Sequence, residues 1–421
     1  MPIPQFQPLC TLVILLSLSP LQAQQWDRFR GPNGTGRAVE GVSLPQTWSE
    51  EENVRWKTPI LKGSSSPILN GDTIFLTGYS GYATDAEDLG QRGDLKLHVQ
   101  AFSFETGKQI WDYNFSASAN EQEATRRVID HGYASPTACT DGKAVYAWFG
   151  PSGMVALDLQ GNLLWKRELG SKTAGFGAAA SPITWQNLVI MNASIEAGTL
   201  FALDKQTGKI VWELEEVNRA WTTPALAILA DGGTELVLHY KDEARGIDPE
   251  TGEVLWNCRG IPDYIVPVPI VDGDIIYFSG GRQNRTMAIR AGGRGDVTET
   301  HKLWEVARGA NVTTPLLHDG HLYWSHDKAF ALCMSAETGD VLDQTRFENG
   351  ERVYASVVYG DEKLFMTQRN GVTLVLRASP EYNLLSENQL GDGEESFNAT
   401  PAIHENSLLF RSTKHLIRVE K

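Results

Sequence analysis

The chain has 421 residues, 41% hydrophobic and 21% charged, with a formal net charge of −15. Such a length can bury a sizeable core, and an acidic balance with no basic stripe repels phosphate backbones and anionic membrane surfaces, so no nucleic-acid partner is expected. Forty glycines, 19 prolines and 12 tryptophans indicate strands joined by tight turns.

The first element is a targeting segment. Leu9 to Leu18 is a short apolar run, Pro20 breaks it, and Leu21-Gln22-Ala23 offers a small residue for cleavage. This pattern predicts a signal peptide over residues 1–23 and an exported mature chain over 24–421, periplasmic or extracellular. Cys10 lies inside the apolar run without a small-residue lipid-attachment context, so no lipid anchor is expected there. No other run approaches the roughly 18–20 apolar residues of a membrane span, so none is expected.

Gln24 to Ser49 reads as irregular, and Asn53-Val54-Arg55-Trp56-Lys57 as a lone Trp-bearing strand. From there one hairpin recurs. Thr199 to Trp212 shows it whole: an alternating strand, the turn Gln206-Thr207-Gly208, and a return strand ending in Trp212. The same hairpin end occurs at Glu105 to Trp111, Leu159 to Trp165 and Glu250 to Trp256, and in a weakened form at Glu337 to Asp343, where Asp343 takes the Trp position. Each Trp is a large apolar anchor, placed to pack between neighbouring units.

A second marker opens each unit: a small residue, then Pro, then a strand. It occurs at Ser66-Pro67, Ser135-Pro136, Ser181-Pro182, Thr223-Pro224, Val266-Pro267, Thr314-Pro315 and Thr400-Pro401, with Ser356-Val357 where the missing one belongs. The usual spacing, roughly 40–50 residues, is that of a four-stranded propeller blade. Eight markers predict eight blades. The C-terminal unit shows three strands and no fourth, so the strand around Trp56 is expected to complete it and close the ring.

The Ala202-Leu203-Asp204, Thr207-Gly208, Trp212 pattern resembles the pyrroloquinoline-quinone (PQQ) repeat. That repeat builds the eight-bladed propellers of a family that includes quinoprotein dehydrogenases and the outer-membrane assembly factor BamB. The resemblance implies an all-β, eight-bladed propeller of four-stranded antiparallel blades, its last blade closed by the N-terminal strand. For function it implies two alternatives. One is an exported, non-catalytic scaffold at the cell envelope that binds a protein or ligand. The other is a PQQ-dependent oxidoreductase of the alcohol or sugar dehydrogenase type, which holds PQQ against a vicinal cysteine pair and a calcium ion, beside a catalytic aspartate.

The residues favour the scaffold. Cys139, Cys258 and Cys333 are not adjacent and fall in different repeats, so they are expected to be free thiols. His318, Asp319, His321 and His326 crowd one hairpin, but Asp319-Gly320 is an ordinary turn signal and a structural role is expected. No catalytic residue and no metal site are expected, and PQQ with calcium enters only under the alternative.

Candidate binding residues stand ahead of the blade markers. Three residues before the marker lie Tyr133, Trp221, Tyr264 and Tyr354; two further back, on the same face, lie His131, Arg219, Pro262 and Arg352. Aromatics beside cations would suit a flat anion or a peptide carboxylate. Packing as a plug in the channel is the other reading, and both stay open. Inserts over Tyr79–His98 and Asn114–Asp130 fall on the same face, and Ser118 with Glu121 has the spacing of a capping box, suggesting a short helix. The expected partner is a protein or a small anionic ligand at this mouth, bound by a monomer.

Overall fold

A computed structural model describes residues 26–85, 87–347 and 350–421; the signal-peptide reading of residues 1–23, Cys10 included, lies outside the described residues. Eight antiparallel sheets follow one another along the chain, over 68–116, 139–167, 183–214, 225–259, 270–306, 316–346 and 358–389, with the eighth made of 402–420 and Val54–Pro59. They are blades one to eight of a β-propeller. Each has four antiparallel strands, and blade four gains a fifth, Gly295–Asp296, which pairs parallel to Val254–Arg259. Val54–Pro59 pairs with His415–Glu420, Trp56 opposite Arg418, so the N-terminal strand closes blade eight.

The repeated Trp and Gly form one device that joins blades. Trp56, Trp111, Trp165, Trp212 and Trp304 each give their indole N–H to a backbone carbonyl of the next blade, those of Phe104, Leu159, Lys205, Pro249 and Ala336, at 2.8–3.1 Å. The turn glycine of that next blade covers the ring. A Cβ on Gly208 would lie 2.5 Å from the Trp165 ring, and its φ of +64° already disfavours any other residue. Gly107, Gly161, Gly252 and Gly339 cover Trp56, Trp111, Trp212 and Trp304 in the same way. Where Asp343 replaces the tryptophan, its carboxylate accepts the Tyr382 N–H of blade seven at 3.1 Å. Trp256 differs, because blade five has no such turn. Its indole N–H donates to Glu235 of its own blade at 2.7 Å.

A second circuit runs around the central channel. The hydroxyl ahead of each inner strand accepts a backbone N–H from the preceding blade. The N–H groups of Ser66, Thr137 and Ser181 donate to Thr137, Ser181 and Thr223; those of Val268, Thr314, Ser356 and Thr400 donate to Thr314, Ser356, Thr400 and Ser66, all at 2.9–3.0 Å. This corrects the marker in two blades. Thr137, not Ser135, matches Ser66, and Val268, not Val266, holds that place in blade five, because Pro136 and Pro267 each sit two residues earlier, relative to the inner strand, than the other prolines. Val268 carries no hydroxyl, so the Thr223 N–H has no acceptor among the described residues and the circuit lacks one link.

The stretch expected to be irregular closes one end of the channel. Trp26 and Asp27 give their carbonyls to the N–H groups of Leu69 and Thr140, Ala38 donates to Tyr359, and the Arg30 guanidinium reaches the carbonyls of Thr314, Pro315 and Val357. Residues 26–38 thus cross the inner strands of several blades, and Phe29 lies at the bottom of the cavity. At the other end, the strands of blade one run further than expected. Tyr79 and His98 are inside the Thr73–Ser80 and Lys96–Ser103 ladder, which places the first insert at 81–95. Asn114 pairs with His98, so the second insert begins after Ser116. Its helix is Arg126–Ile129 rather than at Ser118, and Glu121 bonds Ser152 instead of capping.

The missing link generates a test. Val268→Thr is nearly isosteric and supplies the Thr223 N–H with an acceptor, so chemical denaturation should show a gain of about 1 kcal/mol. Thr223→Val strips the Ser181 N–H of its acceptor and should cost about 1–3 kcal/mol. Equal stability in both variants would mean that the circuit is not an energetic feature of the ring.

Candidate functional site

Inner strands enter from the open end, so the residues just before them form its wall. The hydroxyl circuit makes a buried lower ring, its members 2–6% exposed. Two residues earlier stand Ser64, Ser135, Ala179, Trp221, Val266, Val312, Tyr354 and Asn398, which form an upper ring around a cavity of about 530 Å³. The cavity is open above and closed below by Phe29.

Five of the seven candidate residues line it: His131, Trp221, Tyr264, Arg352 and Tyr354. Tyr133 does not. The two-residue slip in blade two carries it out of the wall; it packs edge-on to Tyr79 at 5.5 Å and donates its hydroxyl to the Gln122 carbonyl at 2.8 Å, holding the second insert. Arg219 stands beside the mouth rather than in it. Because of the slip in blade five, its structural counterpart is Tyr264, and Ile265 donates to the Arg219 carbonyl while Trp221 donates to the Ile265 carbonyl. Arg219 and Arg352 are exposed. His131 is held neutral by burial, which lowers its pKa, and its Nδ1 meets Ser135 at 3.1 Å.

Phe176, Trp221 and Tyr264 form a run of edge-to-face contacts, 6.1 and 5.9 Å between centroids. The run is fixed by the Trp221 indole N–H on the Gly177 carbonyl at 2.8 Å and by the Asn311 amide on the Tyr264 hydroxyl at 2.9 Å. It separates the channel from a second cleft of about 370 Å³, lined by Arg127, Lys172, Arg219 and Arg282 and by no Asp or Glu. Arg127 lies over Phe176 at 4.9 Å and Arg282 over Tyr264 at 5.3 Å, with Asp263 3.4 Å from the latter guanidinium. Arg219 keeps a left-handed backbone, φ +52°, a strain that concentrates at functional positions. Phe176 is 43% exposed, so the aromatic run reaches solvent.

Sequence reasoning missed Arg127, Lys172, Phe176 and Arg282. Each sits on a connection, where the repeat carries no information. The available signal was the Gly- and Ala-rich stretch from Gly170 to Ala180, too long for a plain blade-to-blade link.

Cations over aromatic faces suit planar anions. PQQ with calcium does not fit the residues present. Cys139, Cys258 and Cys333 are buried free thiols in three different blades, and among the described residues no three His, Cys, Asp or Glu side chains are gathered to hold a metal ion. The two carboxylates of the channel lining are engaged elsewhere, Asp130 with Arg369 at 3.7 Å and Asp327 with His326 at 2.9 Å.

Comparison with known proteins places these features in a lineage. The family model described as outer membrane protein assembly factor BamB matches residues 95–345, more than half of the chain. BamB of Yersinia pestis is 21% identical over 392 residues, covering 79% of this chain and 94% of that protein. BamB of Alkalilimnicola ehrlichii is 24% identical over 218 residues, 52% of this chain and 49% of that protein. An uncharacterized protein of Rickettsia prowazekii is 24% identical over 243 residues, 55% and 51%. The chain thus spans about half the length of the last two relatives. Among solved structures, BamB from Moraxella catarrhalis superposes with a TM-score of 0.60 at 15% identity, covering 87% of this chain and 98% of that one. The computationally designed protein Ika8 gives 0.57 at 12% identity, covering 90% and 100%. At such identities the structures speak for the fold.

Two buried carboxyls support the insert beside the mouth. Ser152 accepts the Ser118 N–H at 2.9 Å and donates to Glu121 at 2.6 Å, and the Gly150–Ser152 turn also abuts Glu196. Burial raises Glu121 to about 7 and Glu196 to about 8. The folded state therefore holds protons that the unfolded chain releases above about pH 4.5, so stability is greatest in mild acid and falls as pH rises through 7 and 8. Glu196→Gln should flatten that decline, matching the parent near pH 5 and exceeding it by a few kcal/mol at pH 9 in denaturant titrations. A parent-like slope in the variant would refute the assignment.

Proposed function

The chain belongs to the family of the outer membrane protein assembly factor BamB, and from that premise we propose that it is an exported, non-catalytic scaffold of a bacterial cell envelope. In this reading residues 24–421 act as one propeller domain, as a monomer, with the mouth and its neighbouring cleft receiving a carboxylate-bearing segment of a partner protein. The observation that carries the reading is the cleft itself. On a chain of net charge −15, four cations gather at one opening with three aromatic rings and no carboxylate in the lining. Arg282 pairs with Asp263, but Arg127, Lys172 and Arg219 have no carboxylate partner among the described residues and face solvent, the arrangement that steers an acidic partner.

Support for the envelope comes from the relatives, two of which are outer membrane assembly factors by name. Among the described residues no helix is long and apolar enough to cross a membrane. The scaffold works without PQQ or calcium, consistent with the mismatch of the cysteines and carboxylates to that pair.

Deleting the protein from its own cell should lower the content of outer membrane proteins, and the parent chain should restore it. A double variant, Arg127→Ala with Arg219→Ala, should be exported to the same level and melt at the same temperature, both side chains being exposed, yet fail to restore it. Full restoration by the variant would move the working surface away from the cleft. An unchanged outer membrane after deletion would overturn the family role for this chain.

A further inference from the structure

Below the mouth the channel has a chemistry of its own. Every hydroxyl of the lower ring accepts a neighbour's backbone N–H, so its lone pair is engaged and its O–H proton is free to turn elsewhere. None of these protons reaches an acceptor among the described residues. The strands fill the space behind, so the donors converge on the axis.

Two guanidiniums add charge to this donor ring. Arg30, at the floor, is 0% exposed and meets only carbonyls, among them Thr314 of the ring at 3.4 Å and its neighbour Pro315 at 2.8 Å. Arg411, 1% exposed, donates to the Ser65 carbonyl at 3.0 Å and to its hydroxyl, one residue from the ring. Among the described residues no carboxylate contacts either one, and burial lowers the pKa of both to about 9. Buried charge without a counter-ion is costly, and carbonyl dipoles offset only part of that cost. Above the ring, Arg352 and Lys328 line the opening.

We infer that the blind channel is a binding site for a small oxyanion, a carboxylate or phosphate group that enters past Arg352 and accepts hydrogen bonds from the hydroxyl ring. A cavity of about 530 Å³ is of the size that takes a small molecule or a short chain end. The site shares its rim with the partner cleft, Arg127, Phe176, Trp221 and Tyr264 lining both, but its hydroxyl donors lie in the channel alone.

Calorimetric titration of the whole exported protein tests this with four probes: inorganic phosphate, citrate, tetra-alanine as the free acid, and tetra-alanine amide. One-to-one saturable binding is expected for at least one of the first three, and none for the amide. Binding of phosphate or citrate alone would identify a free small ion; binding of the free-acid peptide alone would identify a chain terminus. Ala179→Phe, which fills the upper ring, and Arg352→Gln should each weaken it at least tenfold at an unchanged melting temperature. Arg219→Ala, in the cleft, should leave it intact, so failure here is distinct from failure of the partner reading. No saturable binding, equal binding of the amide, or parent-like affinity in both channel variants would overturn the inference and leave a water-filled channel.

Discussion

Everything here depends on closing a ring of eight sheets that have no other way to cover their edges. Two concentric circuits do it. The outer one sets an indole from one blade beneath the turn glycine of the next; burying each ring is worth on the order of 4–6 kcal/mol at about 25 cal/mol per Å² over roughly 150–250 Å². The inner one links a backbone N–H to a hydroxyl of the next blade at about 1 kcal/mol per bond. Cohesion therefore comes from the tryptophans, and the hydroxyls set register: they hold the inner strands at one height, so that residues two positions earlier form a level rim. Val54–Pro59 carries the outer circuit from blade eight to blade one, since it is blade eight's fourth strand and bears Trp56.

The division between repeat and exception explains what could be read in advance. The blade count, the closing strand and the roles of Trp56, Trp111, Trp165, Trp212 and Trp304 follow from spacing, because each is written several times. Trp256 turns into its own blade because blade five replaces the Thr-Gly turn with the segment that supplies Gly295–Asp296, a change visible only where two blades meet. The slips at Pro136 and Pro267 are hidden for a related reason. Proline is the visible landmark, whereas the constraint acts on the hydroxyl, and proline is tolerated on either side of it, one or three residues before the strand. Trp221, Tyr264, Tyr354, His131 and Arg352 reach the mouth; Tyr133 is lost to the slip. Arg127, Lys172 and Arg282 come from loops, whose placement no local pattern encodes.

Repeat and exception also divide the labour. The wall of the channel is made by what the blades share, and its donors are nearly identical around the axis. The rim is made by what they do not share: the insert ending in Arg126–Ile129, the Gly- and Ala-rich stretch carrying Phe176, and the turn carrying Arg282. These rim segments lie over blades two to five, while the opposite end is closed by residues 26–38. The proposed working face therefore lies on one side of an otherwise symmetric ring.

The most direct measurement is site-specific photo-crosslinking in the cell that makes the protein, with a benzophenone side chain at Phe176 on the rim or at Ile210 on an outer strand. Both positions are exposed, 43% and 49%, so neither is shielded by its own fold. If the mouth is the working face, position 176 gives a discrete adduct with an envelope protein and position 210 does not, and the Arg127→Ala, Arg219→Ala double variant abolishes the adduct. A discrete adduct from 210 with none from 176 would contradict the placement of the working face.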